Sequence, residues 1–205
     1  KSGTGSLALK GANTYGGSTS VTNGALLVNG TLGAGAVAVS AATAGMTPVL
    51  GGGSGAANGG SLQSGTHTYA ASATIGAIAG AVTIGGAGAG HLAPGNSVGT
   101  LGVGSLTLQS NAVLDYEFNA TANDLTAVTV ADGLTINGGG VNLYQEGTQD
   151  LWAQTGLYNL IQYAGNIGGA GVNSLSVANG DPAHFTYAFG TQTVDGRNYV
   201  TLSVT

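Results

Sequence analysis

Two features of this 205-residue chain have residue types at spacings that chemistry can use. Gly95-Asn-Ser-Val-Gly99 fits G-x-S-x-G, the hydrolase elbow in which a strained strand-to-helix turn presents a serine nucleophile. Acids between Asp115 and Asp150, followed by His184, even supply the order Ser, acid, His. That elbow requires a helix after the serine, and Gly99-Thr-Leu-Gly-Val-Gly104 is not one. A structural turn is therefore the expected role of Ser97. Asp115 and Glu117 stand at i and i+2, so a strand would place both carboxylates on one face, within reach of one cation or sugar. Paired carboxylates do glycosidase work. The simpler account is a solvated strand face shared with Val113, while Leu114, Tyr116 and Phe118 form the buried face opposite. A polysaccharide lyase would also want a cationic base, and Lys1, Lys10 and Arg197 all lie near a chain end.

The other polar groups are scattered. Asp124, Asp132, Glu146, Asp150, Asp181 and Asp195 have capping and turn roles by default, and Asp132 and Asp195 each precede a turn-type glycine. Gly85 to Gly90 reads Gly-Gly-Ala-Gly-Ala-Gly, which lacks the aspartate of the calcium-binding nonapeptide. His67, His91 and His184 have no metal-ligand spacing. Neither a phosphate loop nor a glycine fingerprint opening a helix occurs. The expectation is thus no catalytic residue, no cofactor-binding residue and no metal ligand. Tyr116, Tyr144, Tyr158, Tyr163, Tyr187 and Tyr199 have two readings: exposed ladders that grip a glycan or partner, or rings stacked in a core with the hydroxyl at its rim. The second is favoured.

The elements that must position these groups are short strands. Leu7 and Leu9 alternate with Ser6, Ala8 and Lys10, the period-2 pattern of a strand with one dry face. Leu26 and Val28 repeat it between two Asn-Gly dipeptides, whose residues tolerate the left-handed backbone of tight turns. One such coil cannot bury its inner face alone and must stack on others. Further strands are expected at 36–40, 47–50, 66–69, 74–78 and 81–84, with a glycine-rich loop over 51–60. In the second half they are expected at 113–118, 125–130, 141–144, 156–163, 175–177, 185–189 and 199–204. Val200, Leu202 and Val204 share one face of the last. Gln149–Thr155 forms at most a single helical turn. Ser105-Leu-Thr-Leu-Gln109 echoes Ser6-Leu-Ala-Leu-Lys10, and Gly133 to Gly138 echoes Gly24 to Gly30, which supports a repeat. At roughly 20 residues per coil the chain makes about ten coils, a rod of roughly 50 Å at about 4.8 Å each.

Composition narrows the class. Forty glycines without a three-residue period exclude collagen, and the positive mean hydropathy argues against disorder. With 5% charged residues and a net charge of −5, there is no basic footprint for nucleic acid. Absence of cysteine leaves neither a disulfide framework nor a thiolate metal site. No apolar run reaches transmembrane-helix length, so this segment is not expected to insert in a membrane. The chain starts at Lys1 without a signal peptide and reads as a processed or excised piece. All of it, 1–205, reads as one β-solenoid segment, with Gly/Ala-rich coils over 1–100 and thicker, aromatic-containing coils over 101–205.

Gly3-Thr-Gly-Ser-Leu-Ala-Leu-Lys-Gly-Ala-Asn-Thr-Tyr-Gly-Gly-Ser-Thr19, with Val21, Asn23-Gly24, Leu26 and Val28-Asn29-Gly30, resembles the autotransporter-associated β-strand repeat, also called the passenger-associated transport repeat. Leu92-Ala-Pro-Gly-Asn-Ser-Val-Gly-Thr-Leu101 is similar to the block that follows it, although the family often has Pro where Val98 stands. The likeness is looser from Asp124 onward. It implies an all-β, right-handed parallel β-helix in a secreted or outer-membrane-surface protein of a Gram-negative-type bacterium, and no particular activity.

The expected function is accordingly mechanical and non-enzymatic: a passenger-type rod that spaces, displays or self-assembles through its solenoid ends into filaments or layers. An adhesin that binds glycan or a host cell surface through a lateral face is the alternative, and a polysaccharide-degrading enzyme a distant third. A charge or Pro at Leu202, in the last strand, is expected to block assembly through the ends.

Overall fold

The computed structural model describes residues 1–55, 61–62, 67–68, 76–95 and 97–205. The chain winds as a parallel β-helix. Its first coil comprises β1 (Ser6–Leu9), β2 (Ala12–Asn13) and β3 (Thr19–Val21), and its second β4 (Gly24–Val28), β5 (Thr31–Leu32) and β6 (Val37–Val39). The third opens with β7 (Pro48–Gly52) and closes with β11 (Gly76–Ile84). Between them lie β8 (Ser54–Gly55) and the antiparallel pair β9 (Ser61–Leu62) and β10 (His67–Thr68). The fourth is β12 (Gly90–Pro94) and β13 (Gly99–Leu108). The fifth is β14 (Ala112–Phe118), β15 (Leu125–Val128) and β16 (Leu134–Ile136). The sixth is β17 (Gly139–Gln145), β18 (Gly156–Tyr163) and β19 (Ile167–Gly169). A last partial coil, β20 (Leu175–Val177), leads into the hairpin β21 (Tyr187–Val194) and β22 (Arg197–Val204).

Two sheets result. One has seven strands in the order β1-β4-β7-β12-β14-β17-β20; the other has 13, including the remaining strands of each coil and the terminal hairpin. Stacking is in register, so like side chains form ladders. Leu7, Leu26, Leu50, Leu92, Leu114, Val141 and Val177 are successive rungs of the first sheet. Leu32, Ile78, Val103 and Val128 form one ladder of the second, and Val21, Val39, Ile84, Leu108 and Ile136 another. All of these except Leu7 join one core, Val177 at its margin, and its bulkiest members are Tyr116 and Phe118. Strands such as β11 and β17 bury alternate residues inward against the neighbouring coils, so no coil is stable without its neighbours.

The second sheet bends at a corner. The β11–β13 register shifts between Ile78 and Ala81. A Cβ on Gly35, Gly80 or Gly104 would there overlap a backbone carbonyl of the coil below. Glycine is required at this corner because consecutive backbones approach too closely for any side chain.

Several expectations need correction. Among the described residues the first sheet has seven rungs rather than about ten, the successive rungs Leu50 and Leu92 lying 42 residues apart and Val141 and Val177 lying 36 apart. At about 4.8 Å per rung that shortens the rod to roughly 30 Å. Gly51 and Gly52 belong to β7 rather than to a loop; the rest of that expected loop from Ala56, the expected strand residues Thr66 and Tyr69, and Thr74 and Ile75 lie outside the described residues. Gln149–Thr155 has no helical turn, and the 3-10 turn is at Val172–Ser174. The echo segments are not equivalent: Ser6–Leu9 and Gly24–Val28 lie in the first sheet, Ser105–Leu108 and Leu134–Ile136 in the second. The last strand also differs in its setting. Val200, Leu202 and Val204 do share a buried face, but β22 is antiparallel to β18 on one side and to β21 on the other. Leu202 is therefore a core residue, not a free edge.

Candidate functional site

The chain turns from the first sheet into the second through corner loops stacked on successive coils. That of coil four joins Pro94 to Gly99, and those of coils five and six run over residues 119–124 and 146–155. Gly95, Ser97 and Val98 belong to the lowest. Gly99 opens a strand, so no helix follows, and Ser97 is 3% exposed. Its hydroxyl donates to Glu146 Oε1 of the top loop. The Val98 N–H reaches the same oxygen, and Asn119 Nδ2 donates to Oε2 at 2.9 Å. Together these hold the Glu146 carboxyl below its ordinary range, the Ser97 bond contributing most. The middle loop is tied down by Asp124. Its Oδ1 accepts from the Gly99 N–H at 2.8 Å and its Oδ2 from the Glu117 N–H at 2.7 Å. Burial pushes the Asp124 carboxyl well above its ordinary value, and the negative charges of Glu117 and Glu146 add to this; the two backbone donors oppose it. Ser97, Glu117, Asp124 and Glu146 are thus joined in a network that locks three loops together. His184 is elsewhere, paired with Asp181 at 2.6 Å in an exposed loop, where it lowers the Asp181 carboxyl.

Asp115 and Glu117 do not form a solvated face. They are 2% and 6% exposed. Asp115 Oδ2 pairs with His91 Nδ1 and Oδ1 accepts from Asn142 Nδ2, each at 2.7 Å. Glu117 Oε1 accepts from the Gly147 N–H. Stacking brings these partners from adjacent coils, which is how the carboxylates are buried without being orphaned. Among the described residues, no three His, Cys, Asp or Glu side chains gather to hold a metal ion. No helix among them is long and apolar enough to cross a membrane.

Above the network lies an open groove of about 940 Å³, between the middle and top loops. Trp152 is its main aromatic wall. The indole stacks on Phe118 with centroids 6.0 Å apart and planes at 14°, and its Nε1–H donates to Tyr158 Oη at 2.9 Å. Tyr158 in turn meets Phe118 edge-on, 5.0 Å between centroids, and donates to the Gln154 carbonyl. The polar lining includes Gln145, Gln154, Asn119, Asn123 and Glu146. Both loops close on themselves, through the bridges Phe118–Asn123 and Tyr144–Leu151 and the bonds Asn119 N–H to Ala122 O and Gln145 N–H to Asp150 O. Sequence reasoning passed over Trp152, Gln145 and Gln154; the signal was that Trp152 is the chain's one tryptophan.

The six tyrosines divide. Tyr116 is fully buried, and its hydroxyl crosses from the first sheet to Thr126 and the Leu160 carbonyl in the second. Tyr158, Tyr163 and Tyr187 pack partly buried against the core, and Tyr144 and Tyr199 are half-buried.

The N-terminal coil is the other distinctive surface. Among the described residues, β1, β2 and β3 each pair on one side only. Leu7 stands in register with Leu26 and Leu50, which are 1% and 0% exposed, yet is itself 46% exposed. Tyr15 of the same coil is 45% exposed. At the far end, β21 runs parallel to β18, since each is antiparallel to β22. No family model and no curated protein matches this chain.

Proposed function

We propose that this chain is a structural rod of a bacterial surface or secreted protein, non-enzymatic, which extends by stacking the open coil of one copy on the far end of the next. The observation that carries this is Leu7: a ladder residue in register with the buried Leu26, Leu50, Leu92 and Leu114, but itself 46% exposed, with no further rung beyond it among the described residues. A coil edge whose strands pair on one side, with an apolar row, is a template for a further coil. The far end supports the same reading, because β20 and β21 are the last strands of the two sheets and β21 keeps the coil direction. Head-to-tail contacts between unlike surfaces generate open filaments. The sparse charge supports a packing role over recognition of nucleic acid, and the resemblance to passenger repeats supports an extracellular or outer-membrane-surface location.

Negative-stain electron microscopy and light scattering across a concentration series test this. The expected result is rods that lengthen with concentration, and that stay single when Leu7 is replaced by Asp or Ala8 by Pro. Single short rods at every concentration would refute assembly. So would filaments indifferent to both substitutions.

A further inference from the structure

The lateral groove has a chemistry that rod-building does not use. It contains no Lys, Arg or His, so nothing there would offset the charge of a phosphate, sulfate or uronate. Its one carboxylate, Glu146, is already engaged at both oxygens by Ser97, Val98 and Asn119. The backbone of its two loops is turned back on itself by the Phe118–Asn123 and Tyr144–Leu151 bridges, so neither loop offers an extended edge to a peptide. What remains is a flat aromatic surface beside amides. Trp152 is only half-buried, yet its ring is fixed by Phe118 below and by the Tyr158 hydroxyl at its nitrogen. The side-chain amides of Gln145 and Gln154 are exposed and hydrogen-bonded to none of the described residues. Each offers two donors and a carbonyl acceptor. A preorganised indole suits the C–H face of a sugar ring, and paired donors and acceptors suit its hydroxyls.

We propose that this groove binds a neutral oligosaccharide, one pyranose ring lying on Trp152 and its hydroxyls meeting Gln145 and Gln154. The site is lateral, so it is independent of stacking at the coil ends and does not rest on the rod reading.

Trp152 is the chain's one tryptophan, and its emission reports on the groove alone. The test titrates the protein with short neutral oligosaccharides of glucose, mannose, xylose and N-acetylglucosamine, with oligogalacturonate and a heparin fragment as anionic comparators. The expected result is a saturable emission change with at least one neutral sugar at millimolar concentration or below, and a weaker response to the anions. Replacing both Gln145 and Gln154 by Ala is expected to weaken binding about tenfold or more, with far-UV circular dichroism and free emission unchanged. Those two side chains are exposed, so the double variant folds where Trp152→Ala risks losing the Phe118 stack. A flat titration across the neutral sugars overturns the proposal. Preference for the anions overturns it too, as does a double variant that binds like its parent.

Discussion

Replacing Tyr116 with Phe deletes one oxygen from the interior and leaves the ring in place. That oxygen links the two sheets. The Leu160 carbonyl can only accept, so the Tyr116 proton goes there, at 3.1 Å, and the Thr126 hydroxyl donates to Tyr116 at 2.9 Å. Tyr116 and Thr126 are both 0% exposed, so water cannot replace either bond. Leu160 also sits where the β18–β22 register slips, between Asn159 and Ile161. Burial pushes the phenol's ionisation far above its ordinary range, and Asp124's charge adds to this, so the group is neutral throughout. Two buried bonds at about 1 kcal/mol each, with their partners then unsatisfied, put the cost of Y116F at about 2 kcal/mol. Thr126→Val alone leaves the Tyr116–Leu160 bond intact and should cost less than about 1 kcal/mol. In the Y116F background it should be neutral or stabilising, because it removes an orphaned hydroxyl, giving a coupling of about 1 kcal/mol. Urea unfolding followed by Trp152 emission and by circular dichroism measures all four proteins. A Y116F protein within about 0.5 kcal/mol of its parent, or strict additivity, would refute the cross-sheet bridge.

Two further expectations concern the loop network and the glycine corner. The raised ionisation of Asp124 means the unfolded chain releases this proton first while the folded chain still holds it. Stability should therefore fall as pH rises through and above the ordinary carboxylate range. Glu146, shifted the other way, contributes stability that is lost only as pH falls below that range. Asp124→Asn should flatten the first slope while weakening one of the two backbone bonds, and unfolding midpoints that keep their pH slope in the variant would contradict this. Gly104→Ala places a Cβ onto the Ala79 carbonyl and should cost more than about 2 kcal/mol. Gly5→Ala, in open space, serves as its control in the same thermal melts. Equal melting of the two variants would mean the coils can separate at that corner.

Much of the fold was readable one strand at a time. Leu26 and Val28, Leu114 and Tyr116, and Val200, Leu202 and Val204 face inward as their alternation requires, since the side-chain period of a strand is local geometry. The turn chemistry was readable for the same reason. Asp132 and Asp195 adopt φ of 58° and 50°, and Asp195-Gly196 closes the β21–β22 hairpin as a two-residue turn with both φ positive.

Stacking order was not readable, because rung spacing is irregular and the echoing segments Ser6–Leu9 and Ser105–Leu108 belong to different sheets. Alternation placed Asp115 and Glu117 opposite the core, but it cannot tell whether that outer face meets water. His91 and Asn142, 24 and 27 residues away, settle Asp115, and coil stacking alone brings them there. Ser97 and Glu146, 49 residues apart, meet for the same reason. The sequence by itself thus determined the strand faces, the tight turns and the absence of a basic surface. The tertiary structure decided which coils are neighbours, and with that the buried carboxylates, the groove beside Trp152 and the open Leu7 edge. Each of these depends on residues that only the winding of the chain makes adjacent.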